Sequence, residues 1–155
     1  MTKLLKKESL KLQSLKEEAH SIVENLRQAR TLGRKKRKNT VSLSEKKVIE
    51  QISSAVKAAM AFRDKASRFC KKISEEKNDW VQGRSESYWR SQRCVDFEEW
   101  SRGWEEAGRF IQSAWVRHDY LTVTNLKHYE EALSELHNLT NEPEYREEIQ
   151  CSGFR

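Results

Sequence analysis

Turn-forming residues are scarce in this 155-residue chain, which holds one proline and five glycines. That scarcity disfavours a loop-rich all-β fold and leaves room for long helices. Cysteine is sparse as well. Cys70, Cys94 and Cys151 are odd in number and widely spaced, with no CxxC pair, which argues against a disulfide framework. No apolar run approaches the roughly 18 residues a membrane span needs, and no signal-peptide apolar region is present. The opening MTKLLKKESLKLQSLKEE is amphipathic and basic but carries acids, unlike a transit peptide. A reduced, cytoplasmic setting is therefore expected, in which the Asn138-Leu139-Thr140 sequon carries no weight.

Catalytic patterns are missing too. His20, His118, His128 and His137 are scattered, and none stands in an HExxH helix. His118 and Asp119 are direct neighbours, a spacing that does not orient an imidazole as a triad does. Arg93 precedes Cys94 and is expected to lower its thiol pKa slightly, but no histidine is near it in sequence. Neither GxxxxGK[ST] nor GxGxxG occurs, so no phosphate-cradling loop is indicated. These observations point to a non-enzymatic binding protein with no metal and no cofactor.

What the chain has in abundance is charge, unevenly placed. Residues 1–75 contain 20 Lys/Arg and 8 Asp/Glu, a balance of +12; residues 76–155 contain 10 and 16, a balance of −6. All five tryptophans lie in the second part. Such asymmetry implies regions with different partners, one of them a polyanion.

The basic part, residues 1–76, reads as a helical hairpin. Leu5, Leu12, Ala19 and Leu26 form one heptad series, and Leu15, Ile22 and Ala29 form the second, which Glu8 interrupts. The run is expected to end at Gly33, a residue type suited to a left-handed helix cap. A second helix is expected from a capping box at Ser42 and Glu45. Its seam is Val48, Ile52, Ala55, Ala59, Phe62, Ala66, Phe69 and Ile73. An antiparallel intrachain pair is the economical arrangement, and a homodimer through the same seams is the alternative.

Residues 33–40 are expected to form the connecting tip, with Arg34, Lys35, Lys36, Arg37 and Lys38 in succession. Adjacent like charges repel, so a tip of this kind is predicted to be mobile until phosphates neutralise it. Lys3, Lys6, Lys7, Lys46, Lys47, Lys71 and Lys72 extend the positive field. Backbone contacts of this type supply affinity without base specificity.

From Asp96 to Val116 the spacing is again helical. Trp100, Trp104, Ala107, Ile111 and Trp115 share a stripe, with Phe97 and Ala114 beside it. Gly103 and Gly108 each cost a helix about 1 kcal/mol relative to alanine, so both are predicted to serve close approach by a neighbouring helix or a ligand. One more amphipathic helix, with Leu126, Tyr129, Leu133 and Leu136, is expected to start from Thr122 or Thr124. Pro143 ends that helix or starts a short acidic tail, Glu142 to Glu148, expected to be solvated.

Gly83-Arg84-Ser85 is followed, fourteen residues on, by WSRGWEEA, Trp100 to Ala107. This pattern resembles the ribosome modulation factor family of small bacterial hibernation proteins, whose members carry a Gly-Arg-Ser turn and then a W-x-x-G-W-x-E-A helix. The motif spans residues 83–107, within a similar segment at 80–116; the family's Cys-Pro-Tyr is replaced by Trp89-Arg90-Ser91. The resemblance implies a helix, a turn and a tryptophan helix, with Arg84, Arg90 and Arg93 facing RNA and Trp89, Trp100 and Trp104 forming a docking surface. It further implies an extended relative of the kind carried by phages and mobile elements.

The fold expected from all this is all-α: a long coiled-coil-like hairpin at 1–76 and a small, acidic, tryptophan-rich helical region at 77–155. The function expected is an RNA- or ribosome-binding modulator of translation. The competing expectation is a helical protein–protein module, phage- or plasmid-borne, that inhibits a host nucleic-acid-processing machine.

Overall fold

The first helix does not stop at Gly33. In the computed structural model, which describes residues 3–146, α1 runs from Lys6 to Arg37 and passes straight through that glycine. Arg34, Lys35, Lys36 and Arg37 are its last turn, where cations interact favourably with the helix dipole and the final carbonyls. The chain turns only at Lys38 and Asn39, the latter left-handed at φ 54°. The side chain and N–H of Thr40 both donate to the Lys35 carbonyl, each at 3.0 Å. The basic run is thus mostly helical, not a free tip loop at 33–40.

The second helix, α2, spans Glu45–Gln82. Ser44, rather than Ser42, caps it by accepting the Lys47 N–H at 3.3 Å. Glu18 meets Lys65 and Glu8 meets Lys77, so α1 and α2 are antiparallel. Leu12, Leu15, Ala19, Leu26 and Ala29 of α1 and the Val48-to-Ile73 seam of α2 are buried together, except for the half-buried Ala55. Leu5, by contrast, is exposed. The interruption at Glu8 also has a cause. Its carboxylate accepts the Leu5 N–H at 2.7 Å and lies 3.7 Å from the buried Lys77 ammonium, which donates to the Lys3 carbonyl.

Beyond Gly83 come a single-turn helix α3 (Glu86–Trp89) and then α4 (Gln92–Ser113). Ser85 and Ser91 cap them through hydroxyls that accept the Tyr88 and Cys94 N–H groups. α4 lies antiparallel to α2 along a seam on which Gly108 presses close to Cys70. A Cβ at Gly108 would be 3.1 Å from that of Cys70, so this glycine serves close helix approach. Gly103 has no neighbour within 4 Å of that position, so no helix approaches it there.

A β-hairpin follows, which the expected all-helical pattern lacks. β1 (Arg117–Asp119) pairs with β2 (Thr122–Thr124) in the register Arg117–Thr124, His118–Val123 and Asp119–Thr122. Thr122 and Thr124 therefore belong to a strand. The final helix α5 (Leu126–Asn138) starts instead from Asn125, itself left-handed at φ 63°. α5 packs against both α1 and α4, and α2 packs against the same two helices. The long helices alternate in direction as an up-down-up-down bundle. Tyr129 reaches across the core, its hydroxyl donating to the Ala59 carbonyl at 2.6 Å.

Of the acidic tail expected to be solvated, Glu142 and Glu144 are exposed, but Pro143 is buried and the chain on either side of them is docked. The Leu139, Thr140 and Asn141 carbonyls accept from Lys16, Trp100 and Leu4 at 3.0, 3.1 and 2.7 Å. Arg146 bridges Asp96 and Glu99 of α4. The docking is thus made by carbonyls and a cation, not by the acidic side chains; Glu147 and Glu148 lie outside the described residues. The division at 76/77 is one of charge: α2 runs through it, and one hydrophobic cluster reaches from Leu4 to Leu139. No helix among the described residues is long and apolar enough to cross a membrane.

Candidate nucleic-acid interface

The two groups of cations conspicuous in the sequence stand at opposite ends of α2. At 1.5 Å per residue this helix is about 55 Å long. Arg34 to Lys38 lie at its N-terminal end, whereas Arg84, Arg90 and Arg93 lie beyond its C-terminal end. The two groups cannot form one continuous site.

At the Gly83 end, each arginine already has an intramolecular partner. The Arg84 guanidinium stacks 4.5 Å from the centroid of Trp80 and donates to its carbonyl. Arg90 forms a close ion pair with Glu86, one helical turn earlier. Arg93 lies 4.8 Å over the Tyr145 ring. The tryptophans expected to form a docking surface are also largely committed. Trp104 is 0% exposed and packs edge-on to Phe69, which removes it from any docking surface. Its large side chain and helical spacing make it a core residue. Trp100 is half-buried between Phe97 and Trp104, its indole N–H bonded to the Thr140 carbonyl. Trp89 alone of the three keeps half its surface, 49%, open to solvent while its N–H donates to the Val81 carbonyl.

At the other end the cations are freer. Arg34, Lys35, Arg37 and Lys38 are exposed on one helical turn and its cap. Lys36 differs: its ammonium donates to the Leu43 carbonyl at 2.6 Å and helps close the turn into α2. Lys46 and Lys47, exposed in the first turn of α2, adjoin the same end. Lys35 also lines an open groove of about 680 Å³ between α1 and α2, with Ala29, Leu32, Ala55 and Ala58 among its apolar walls.

The β-hairpin completes this end of the molecule, a contribution with no obvious sequence signal. Its turn residue Tyr120 is left-handed at φ 54°, a region that non-glycine residues rarely adopt. Its ring is 54% exposed, and its hydroxyl is held in a short hydrogen bond by Glu45 at the start of α2. That bond raises the phenol pKa, burial and the Glu45 charge add to the effect, and the nearby Arg37 opposes it. Tyr120 therefore stands at the same end of the bundle as the basic turn, bonded to Glu45 and next to Leu121, whose carbonyl lies against Gly33. Trp115, 40% exposed, lies at the hairpin's base with the Arg117 guanidinium 4.9 Å over its ring.

Among the described residues the two thiols, Cys70 and Cys94, are buried. Burial pushes Cys70 up to about 12. It also raises Cys94, assisted by Glu98, so the expected lowering by Arg93 is overturned. Cys151 lies outside the described residues. No group of three or more His, Cys, Asp or Glu side chains able to hold a metal ion occurs among the described residues.

No family model matches the chain, and no curated protein or solved structure matches it either.

Proposed function

We propose that this protein is a non-enzymatic RNA-binding modulator, with ribosomal or other structured RNA as its target and the basic end of the helical hairpin as its grip. The observation that carries this reading is the fixed presentation of Arg34, Lys35, Arg37 and Lys38 on the last turn and cap of α1, with Lys46 and Lys47 beside them. A cluster held by helical geometry meets a phosphate backbone with less ordering cost than the mobile loop expected from sequence. Each phosphate neutralised releases condensed counterions, so binding is steep in salt and tolerant of sequence. Translation is the process such a protein modulates when the RNA is ribosomal, and the ribosome modulation factor resemblance at residues 83–107 favours that target.

The competing reading is a protein–protein module whose acidic C-terminal half, residues 77–155, mimics nucleic acid or fills a protein groove. Of the acids of α4, three are already matched within the chain, Asp96 and Glu99 by Arg146 and Glu105 by Arg109. The acidic face is therefore less available than the basic end.

Sedimentation through a sucrose cushion with bacterial ribosomes tests the proposal. Wild-type protein is expected to pellet with ribosomes at low salt and to be released by RNase. Protein that stays in the supernatant, or is recovered with one stoichiometric protein partner regardless of RNase, contradicts it.

A further inference from the structure

Resting on the RNA-binding reading, we infer that Tyr120 is a base-stacking platform and that the preferred ligand is RNA with unpaired bases rather than continuous duplex. Four observations converge on that residue. The Tyr120 ring is an exposed aromatic at the tip of a two-residue β-turn, where it is free to present a face. The turn is immobilised from below, because the Leu121 carbonyl is seated against Gly33, one residue before the basic turn of α1. The phenol is pinned at its far end by Glu45, which fixes the ring's direction. Finally, Arg37 lies close enough to influence the phenol's ionisation.

A phosphate-binding cation and an aromatic face thus stand side by side on rigid elements. A duplex offers its phosphates to Arg37 and its neighbours but keeps its base faces stacked inside. A loop, bulge or single strand offers both phosphate and a free base face, and stacking on an aromatic ring tolerates any base. Glu45 holds the hydroxyl end of the ring, so the phosphates of the ligand are expected to run past Arg37 rather than past this carboxylate. The left-handed backbone at Tyr120 fits the same account: asparagine or glycine suits this conformation better, and a tyrosine here carries its aromatic ring at a conformational cost.

Fluorescence anisotropy with full-length protein tests this, using a labelled 12-nucleotide polyuridine strand and a 12-base-pair RNA duplex as probes. Tyr120→Asn removes the ring while tolerating the left-handed backbone; circular dichroism melting checks the fold. The variant is expected to weaken the single strand at least about fivefold more than the duplex. Tyr120→Phe, which keeps the ring but loses the Glu45 bond, is expected to retain more of the single-strand preference than Tyr120→Asn. Equal losses on both probes, or no loss on either, overturn the stacking role while leaving RNA binding intact. If wild-type protein binds neither probe at low salt, the RNA-binding reading itself fails and the stacking role falls with it.

Discussion

Gly33 packs directly beneath the carbonyl of Leu121: a methyl group on Gly33 would lie 1.8 Å from that oxygen and 2.7 Å from its carbon. A helix and a β-turn far apart in sequence thereby meet without a side chain between them. Alanine is intrinsically better in a helix by about 1 kcal/mol, yet the backbone of the turn cannot yield by the distance required. Gly33→Ala is therefore expected to lower the melting temperature and displace Tyr120. Gly103→Ala, with nothing near the added methyl, is expected to stabilise by up to about 1 kcal/mol. Thermal melts of the two variants check the pair, and a Gly33→Ala protein more stable than wild type contradicts the packing described.

Trp104 supplies the second expectation. Its ring is fully buried between α2 and α4, so Trp104→Ala should cost about 3–5 kcal/mol through reduced burial and the cavity left behind. The indole N–H has no partner among the described residues, so Trp104→Phe, which removes that donor, should cost considerably less. Urea denaturation of both variants measures the difference. Equal losses would show that the ring's bulk is not what matters.

Asp96 links stability to pH. Gln92 donates to its carboxylate at 2.8 Å, and the backbone N–H and guanidinium of Arg146 donate at 3.0 and 2.9 Å. Together these hydrogen bonds outweigh burial and hold the carboxyl below its ordinary value of 3.8. A depressed folded value means the stabilisation is present above 3.8 and is lost as pH falls through the lower folded value. Asp96→Asn should consequently lower the melting temperature at neutral pH and narrow its gap from wild type toward pH 2. A gap that widens in acid contradicts this linkage.

The two arginine groups can be separated because α2 holds them about 55 Å apart. Arg84→Glu with Arg90→Glu is expected to weaken ribosome co-sedimentation less than replacement of Arg34, Arg37 and Lys38 by glutamine, with both proteins remaining folded. The reverse order would move the primary RNA-binding surface to the segment that resembles the ribosome modulation factor family.

The long seams are legible in sequence because heptad spacing is the direct imprint of helix geometry, and Leu12, Leu26, Ile52 and Ile73 fall where that spacing puts them. The packing of Gly33 is not legible, since a glycine after a helical run looks like a cap until the partner backbone is known. The β-hairpin is equally hidden: Tyr120-Leu121 replaces the Asn-Gly or Asp-Gly that marks a two-residue turn, and its strands hold three residues each. The cationic run is visible as chemistry, but not its helical state. Its aromatic neighbour is invisible, because only the fold brings residue 120 to residues 37 and 45. At the other end, Arg93 looks free in sequence because only the folded chain brings Tyr145 to it. Glu86 and Trp80, in contrast, stand four residues before Arg90 and Arg84, a spacing that pairs side chains once the segment is helical.

The most direct test is the salt dependence of RNA affinity for wild-type protein and for a variant with Arg34, Lys35, Arg37 and Lys38 replaced by glutamine. Lys36 is left in place because it closes the turn on Leu43. Exposed charges add little to folding, so the melting temperature should barely move. The slope of log affinity against log salt should become shallower by about 0.7 for each single-strand phosphate that the variant no longer neutralises. A folded variant with the wild-type slope would contradict the account, because the basic end of the bundle would then touch no phosphate.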